Sequence, residues 1–268
     1  MNEWNFSKEE ALLETEDLTI AYGNEPVLKG INMKVYPNEI VGIVGESGSG
    51  KSTLARAIMN LLPRGAIKFS GEIYFEGRKL SQLKKKEWQR LRGNEIAMIF
   101  QNPSGYLNPI RRVGSQFIES IRAHQKITAA DAEEIAKKTL IKMNLKDPHR
   151  VMKSYPFQLS GGMNQRVAIA MATAMAPQLV IADEPTSALD VITQRIIIDE
   201  MKNLRDKENT SILMITHHIA CAASFADRII VMKSGRIVEE GTAEIVTKNP
   251  LNSYTRSLLE SIPRMRKG

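Results

Sequence analysis

Gly45, Glu46, Ser47, Gly48, Ser49, Gly50, Lys51 and Ser52 stand in a spacing suited to gripping a polyphosphate. The glycines let the backbone fold tightly so that successive amides point inward, and the start of a following helix adds partial positive charge. Lys51 reaches toward outer phosphates, Ser52 offers a hydroxyl to magnesium, and Thr53 extends the gripping surface. A glycine-rich turn would share the composition. The grip needs a buried strand before it and a helix after it, and both are expected here.

A second set of groups follows far along the chain. Residues 179–182 form an apolar run that ends in Asp183 and Glu184, two carboxylates at the carboxyl edge of a strand, where open parallel sheets hold ligands. Adjacent strand residues point opposite ways, so Asp183 is free to face magnesium while Glu184 orients or deprotonates an attacking water. Phosphoryl transfer consists mostly of positioning and charge neutralisation, which makes one metal-facing and one water-facing carboxylate a sensible pair. Taken alone, paired carboxylates ending a strand often cap a helix.

Ser160, Gly161 and Gly162 suggest another anion site, since serine is a good N-cap, the glycines bare their amides and the helix start favours negative charge. In isolation this is simply a capped helix.

These groups must be held by elements that the pattern also foretells. Residues 40–44 are a near-continuous apolar run ending at Gly45, the mark of a strand buried on both faces, and residues 52–62 read as a helix stopped by Pro63. Residues 18–22 and 27–35 carry short β-branched and apolar runs punctuated by Gly23, Asn24, Pro26 and Gly30, which predicts antiparallel strands. From residue 79 to residue 156 the chain is polar and helix-prone, as an inserted helical subdomain would be. Helix over 167–175, strand over 179–182, helix over 193–205 and strand over 211–216 then predict a parallel sheet flanked by helices. Residues 228–232 and 236–238 around Ser234 and Gly235 predict a hairpin, and residues 251–261 a terminal helix.

Composition narrows the function classes. With 268 residues, 43% of them apolar, the chain is long enough for a sizeable core. Its formal charge of +7 is dispersed apart from short clusters such as residues 84–86 and 264–267, so nucleic acid is not an expected partner. A single cysteine, Cys221, excludes an internal disulfide and a thiolate zinc or iron-sulfur site, reads as a small buried hydrophobe, and fits a reducing compartment. Met163, Met171 and Met175 are expected to fill core gaps rather than bind metal. The acidic N-terminus does not read as a signal peptide, and no apolar run approaches the ~18 residues of a membrane span. If the protein serves transport, the pore belongs to other chains.

The stretch LSGGMNQR at residues 159–166 resembles the signature of ABC ATPases, and further matches follow in family order across nearly the whole chain. The resemblance implies an α/β cassette: a P-loop core with a parallel sheet, an N-terminal antiparallel β subdomain and a helical subdomain. It covers residues 11–263, with the helical part at about 102–176, an extension over 1–10 and a basic tail over 264–268. It also implies ATP and Mg2+ as cofactors. Tyr22 corresponds to the aromatic that stacks on adenine, and Gln101 in IFQNP to the glutamine sensing magnesium and the attacking water. Residues 187–190, ending in Asp190, resemble the D-loop, and His217 the switch histidine at the terminal phosphate, with His218 where an aspartate is usual. Ser160, Gly161, Gly162 and Gln165 would complete the nucleotide site of a second ATPase subunit, a copy or a paralogue, in a head-to-tail dimer. YPFQLSGGMNQRVAIAMA and NPLNSYTRSLLESIP are similar to the peptide and nickel importer subgroup. The short tail without further cysteines leans toward the nickel or metal-chelate branch. That subgroup implies two transmembrane permease subunits, an extracytoplasmic substrate-binding protein and a place on the cytoplasmic face of the membrane. A soluble ABC-type ATPase is the rival reading; such proteins generally carry two cassettes or a long coiled-coil insert, and the sequence shows neither.

Overall fold

The computed structural model describes residues 10–101, 107–186 and 189–261, without the side chains of residues 68 and 69. The expected extension over 1–10, except its last residue, and the basic tail fall outside them, as do Asn102, Pro103, Ser187 and Ala188. The chain divides into two compact units, one made of Met1–Lys84 with Thr216–Gly268 and the other of Lys85–Ile215.

In the first unit, β1 (Leu13–Tyr22), β2 (Glu25–Val35), β4 (Ala66–Phe75) and β5 (Arg78–Lys79) form an antiparallel sheet in the order β2-β1-β4-β5. Leu13, Leu18, Ile20, Leu28, Ile31 and Val35 supply its buried face. The register of β1 against β2 shifts between Thr15 and Leu18, which lets Leu18 and Ile20 continue the inward face that Leu13 and Thr15 begin. β3 (Ile40–Val44) is buried at every position, as its uninterrupted apolar run requires. Each fully buried Ile or Val there contributes about 1.5–3 kcal/mol relative to exposure.

The helix α1 (Lys51–Ile58) is shorter than the sequence predicts. It stops before Pro63 because Asn60 takes a left-handed φ of 50° and the Leu61 amide turns back to the Arg56 carbonyl, closing the last turn. The strand β4 is an element the sequence pattern did not disclose; Gly71 interrupts its alternation.

The second unit holds α2 (Lys85–Leu91), β6 (Ile96–Ile99), α3 (Val113–His124), α4 (Ala129–Lys142), α5 (Pro148–Lys153), α6 (Gly161–Thr173), β7 (Leu179–Asp183), α7 (Val191–Glu208) and β8 (Ser211–Thr216). β6, β7 and β8 run parallel and adjacent, and all their residues are buried. β6 is a strand within residues 79–156, which the sequence marks as polar and helix-prone: its four-residue apolar run is too short for a helix and pairs with β7 instead. Val113, Phe117 and Ile121 of α3 and Ala132, Ala136 and Leu140 of α4 recur at helical spacing and face inward. α6 begins six residues before the expected start, because Ser160 caps it and both following glycines lie in its first turn.

The chain closes the first unit with α8 (Ile219–Ala223), β9 (Arg228–Lys233), β10 (Arg236–Thr242), α9 (Ala243–Lys248) and α10 (Ser253–Glu260). β9 lies parallel to β3 and antiparallel to β10, which fulfils the predicted hairpin. Glu39 and Arg228 make a buried ion pair beside it, 2.7 Å from carboxylate oxygen to Nε. Cys221 is half-buried rather than enclosed.

Candidate functional site

The phosphate loop leaves β3 at Gly45, whose φ of +156° and tight surroundings admit no side chain: a Cβ there would lie 2.2 Å from the Met232 carbonyl oxygen of β9. The loop then folds on itself. The Ser49 amide donates to the Glu46 carbonyl at 3.2 Å, and the Ser49 carbonyl accepts from the Gly235 amide at 3.0 Å. Gly50, with φ of +103°, stands at the N-cap of α1, where it brings no side-chain cap hydrogen bond.

Lys51 is 6% exposed, yet its ammonium is not stranded. Nζ donates to the Gly45 and Glu46 carbonyls, each at 2.7 Å, and to Ser49 Oγ at 3.3 Å. The loop therefore aims a buried cation through its own carbonyls, while Glu46, Ser47 and Gly48 stay at the surface and Ser52 and Thr53 are half-buried on the first turn of α1. Tyr22 ends β1, half-buried, at the turn into β2. His217 lies exposed just past β8, its ring 4.0 Å from that of His218. His218 occupies the N-cap of α8 but makes no side-chain cap hydrogen bond, which is the local cost of a histidine where a short acidic side chain would cap the helix.

In the second unit, two neighbouring parallel strands bring Gln101 and Glu184 together. Ile99 of β6 pairs with Ala182 of β7, so residues two positions further along each strand emerge side by side. Gln101 Nε2 donates to Glu184 Oε2 at 3.1 Å. Asp183 is 5% exposed at the end of β7, whereas Glu184 is half-buried and its amide donates to the Ile215 carbonyl at 2.8 Å. Glu184 holds a left-handed φ of 48°, a conformation that costs a non-glycine residue about 1 kcal/mol and that directs its carboxylate out of the strand.

The start of α6 and the start of α7 meet in the same unit. Ser160 Oγ accepts from the Met163 amide at 3.3 Å. Asp190 caps α7, accepting from the Thr193 amide at 2.9 Å and from Thr193 Oγ1 at 2.7 Å. The Thr193 backbone bond, then its hydroxyl, hold the Asp190 carboxyl below its usual range. A Cβ on Gly162 would come within 2.8 Å of Thr193 Cγ2, so Gly162 is needed for Asp190 and the signature glycines to lie this close. Gly161 is exposed, with open space where a Cβ would point.

Gln165, in the second turn of α6, is 3% exposed. A residue that the sequence reading did not single out joins the phosphate loop: Tyr254 of α10, whose hydroxyl accepts from the Glu46 amide at 3.0 Å.

Ser52 in the first unit and Asp183 in the second each carry an oxygen of the hard kind that magnesium prefers. Among the described residues no group of three or more His, Cys, Asp or Glu side chains could hold a metal ion.

The ABC transporter family profile matches residues 28–187, more than half of the chain. The oligopeptide transport ATP-binding protein OppD of Bacillus subtilis is 46% identical over 259 residues, 95% of this chain and 72% of that protein. A probable peptide ABC transporter ATP-binding protein of Sinorhizobium fredii is 43% identical over 266 residues, 97% of this chain and 79% of that protein. Among solved structures, a dimeric ATP-binding cassette in a post-hydrolysis state with ADP and Pi superimposes with a TM-score of 0.76 at 31% identity, covering 86% of this chain and 98% of that one. A subunit of the cbiONQ ABC transporter complex of Clostridium perfringens gives 0.78 at 27% identity, covering 96% and 97%.

Proposed function

The chain belongs to the ABC transporter family as one of its ATP-hydrolysing subunits, and from that premise we propose that it energises peptide uptake by clamping MgATP between two cassettes. The observation that carries this reading is the Gln101–Glu184 pair at the carboxyl ends of β6 and β7, a carboxylate held by an amide donor.

In the proposed mechanism Lys51 and the loop amides bind and orient the β- and γ-phosphates, and Tyr22 stacks on the adenine. Ser52, and Asp183 directly or through water, would hold magnesium, which when bound would supply positive charge against the phosphates. Glu184 takes the attacking water's proton or orients its lone pair, and Gln101 fixes the carboxylate that does so. His217 donates to the γ-phosphate. Ser160, Gly161 and Gly162 of the second cassette, with Asp190 beside them, present amides and a helix start to the same triphosphate, so that nucleotide binding closes the pair and hydrolysis reopens it. That second cassette is a copy or a paralogue.

Transport requires other chains to cross the membrane, since no described helix is long and apolar enough to do so. We assign the permease docking surface to the helical part of the second unit. Ile110 is 81% exposed and Phe157 71%, and Phe157 stacks on Tyr155, which also lies under the Arg112 guanidinium. An exposed apolar patch of this kind marks an interaction site. The partners are two permease subunits at the cytoplasmic face and, beyond them, a substrate-binding protein. The named relatives favour peptide over nickel or a metal chelate as cargo.

The test is reconstitution. Membrane vesicles prepared with the chain and its co-purifying polytopic proteins should accumulate labelled peptide only with MgATP. Association with ribosomes or DNA, and uptake indifferent to the chain, would support the non-transport ATPase instead.

A further inference from the structure

The two peptide groups on either side of Glu46 are the points on which the phosphate loop turns. The carbonyl of the first, Gly45 O, accepts from Lys51 Nζ at 2.7 Å, and that of the second, Glu46 O, accepts from Lys51 Nζ at 2.7 Å and from the Ser49 amide at 3.2 Å, so these two peptides set the curl of the loop and the aim of the lysine. The amide of the first, Glu46 N–H, is held from 208 residues away, by the Tyr254 hydroxyl at 3.0 Å.

Tyr254 is 6% exposed in the first turn of α10, and the Lys233 ammonium sits 4.4 Å from its ring centroid. Burial pushes its hydroxyl above the usual tyrosine range, so the oxygen remains a neutral acceptor throughout the physiological range. The helix that carries it is fastened at its start. Glu239 of β10, itself 9% exposed, accepts from the Leu251 amide at 2.6 Å and the Asn252 amide at 3.1 Å. Asn252 Nδ2 donates to the Val238 carbonyl at 3.2 Å, and Asn252 Oδ1 caps α10 by accepting from the Tyr254 amide at 2.9 Å. A continuous hydrogen-bonded path thus runs from β10 through residues 251–252 to Tyr254 and the Gly45–Glu46 peptide.

We propose that Tyr254 is a positioning residue of the nucleotide site, which fixes the Gly45–Glu46 peptide, whose Gly45 carbonyl accepts from Lys51, in the orientation that lets Lys51 and the loop amides receive the triphosphate, and so makes α10 a determinant of ATP affinity. It acts through the loop and touches neither phosphate nor water. The inference rests on the assignment of residues 45–53 as the phosphate grip.

Tyr254→Phe keeps the ring and its cation contact and removes the acceptor. The purified full chain carrying it should bind MgATP about three- to ten-fold more weakly, the loss expected for one neutral hydrogen bond. Its kcat at saturating ATP should stay within about two-fold of wild type, because the transition-state groups are untouched. Thr255→Val is the control in the same helix: Thr255 is fully buried and its hydroxyl has no partner among the described residues, so ATP affinity should not move. Glu239→Gln, which weakens the anchor of α10 while leaving Tyr254 in place, should shift affinity in the same direction as Tyr254→Phe and decides the matter if that variant does not fold. An unchanged Kd in the folded Tyr254→Phe chain, or a loss confined to kcat, overturns the proposal. Failure of the wild-type chain to bind MgATP at all would instead strike at the phosphate grip itself.

Discussion

Gln101 Nε2 donates to Glu184 Oε2 across 3.1 Å, joining the ends of two parallel strands whose registered pair, Ile99 and Ala182, lies two residues behind them. The bond leaves the second carboxylate oxygen to other partners and fixes the plane in which Glu184 meets water. Gln101→Ala should therefore lower kcat about ten-fold with little change in KM, since roughly one hydrogen bond of orientation is lost and ATP binding is not. Phosphate release under saturating ATP measures it. A change confined to KM would place Gln101 in nucleotide binding instead.

Lys51 is held within the loop, its ammonium donating to the Gly45 and Glu46 carbonyls. Lys51→Ala should weaken MgATP binding by roughly 10- to 100-fold, the range for one charge-assisted bond to phosphate, while the thermal midpoint without nucleotide changes little. Normal calorimetric affinity in that variant would remove residues 45–52 from the phosphate site.

The ion pair of Glu39 and Arg228 concerns stability alone. Their side chains are 7% and 8% exposed, and Glu39 accepts from Arg228 Nε at 2.7 Å, Arg228 Nη2 at 2.9 Å and the Tyr36 amide at 2.9 Å. Glu39→Ala strands a buried guanidinium and should cost about 3–5 kcal/mol in denaturant unfolding. A loss below about 1 kcal/mol would show that Glu240 and the Lys34 carbonyl suffice to hold Arg228.

His124 gives the second unit an acid sensitivity. Burial holds its pKa below the free value of 6.5, so the native state resists charging the imidazole that the unfolded chain accepts. Stability from this group is whole above about pH 6.5 and is lost progressively as pH falls below that value toward the depressed native pKa. The thermal midpoint of the wild type should fall more steeply between pH 7.5 and 5.5 than that of His124→Gln. Parallel curves would assign the acid response to other groups.

What the sequence disclosed follows the range of the interactions involved. The phosphate loop and the Asp183–Glu184 strand end are local, contiguous in the chain, and their flanking apolar runs at residues 40–44 and 179–182 appear as β3 and β7. β6 was hidden because its four apolar residues lie within a polar, helix-prone stretch and gain strand character only by pairing with β7. The burial of Gln165 was not legible either, since the signature stretch reads as an exposed helix start while helical spacing sets this residue four before Ile169, on the face that α6 buries. The Tyr254 contact with Glu46 was not legible, since no local pattern links two residues 208 apart.

Glu184 is the group proposed to prepare water for attack, and Glu184→Gln tests that role with nearly the same shape and no base. After incubation with MgATP and rapid separation from free nucleotide, the variant should retain bound, unhydrolysed ATP and turn over at least about 100-fold more slowly than wild type. Recovery of ADP at the wild-type rate would contradict the assignment.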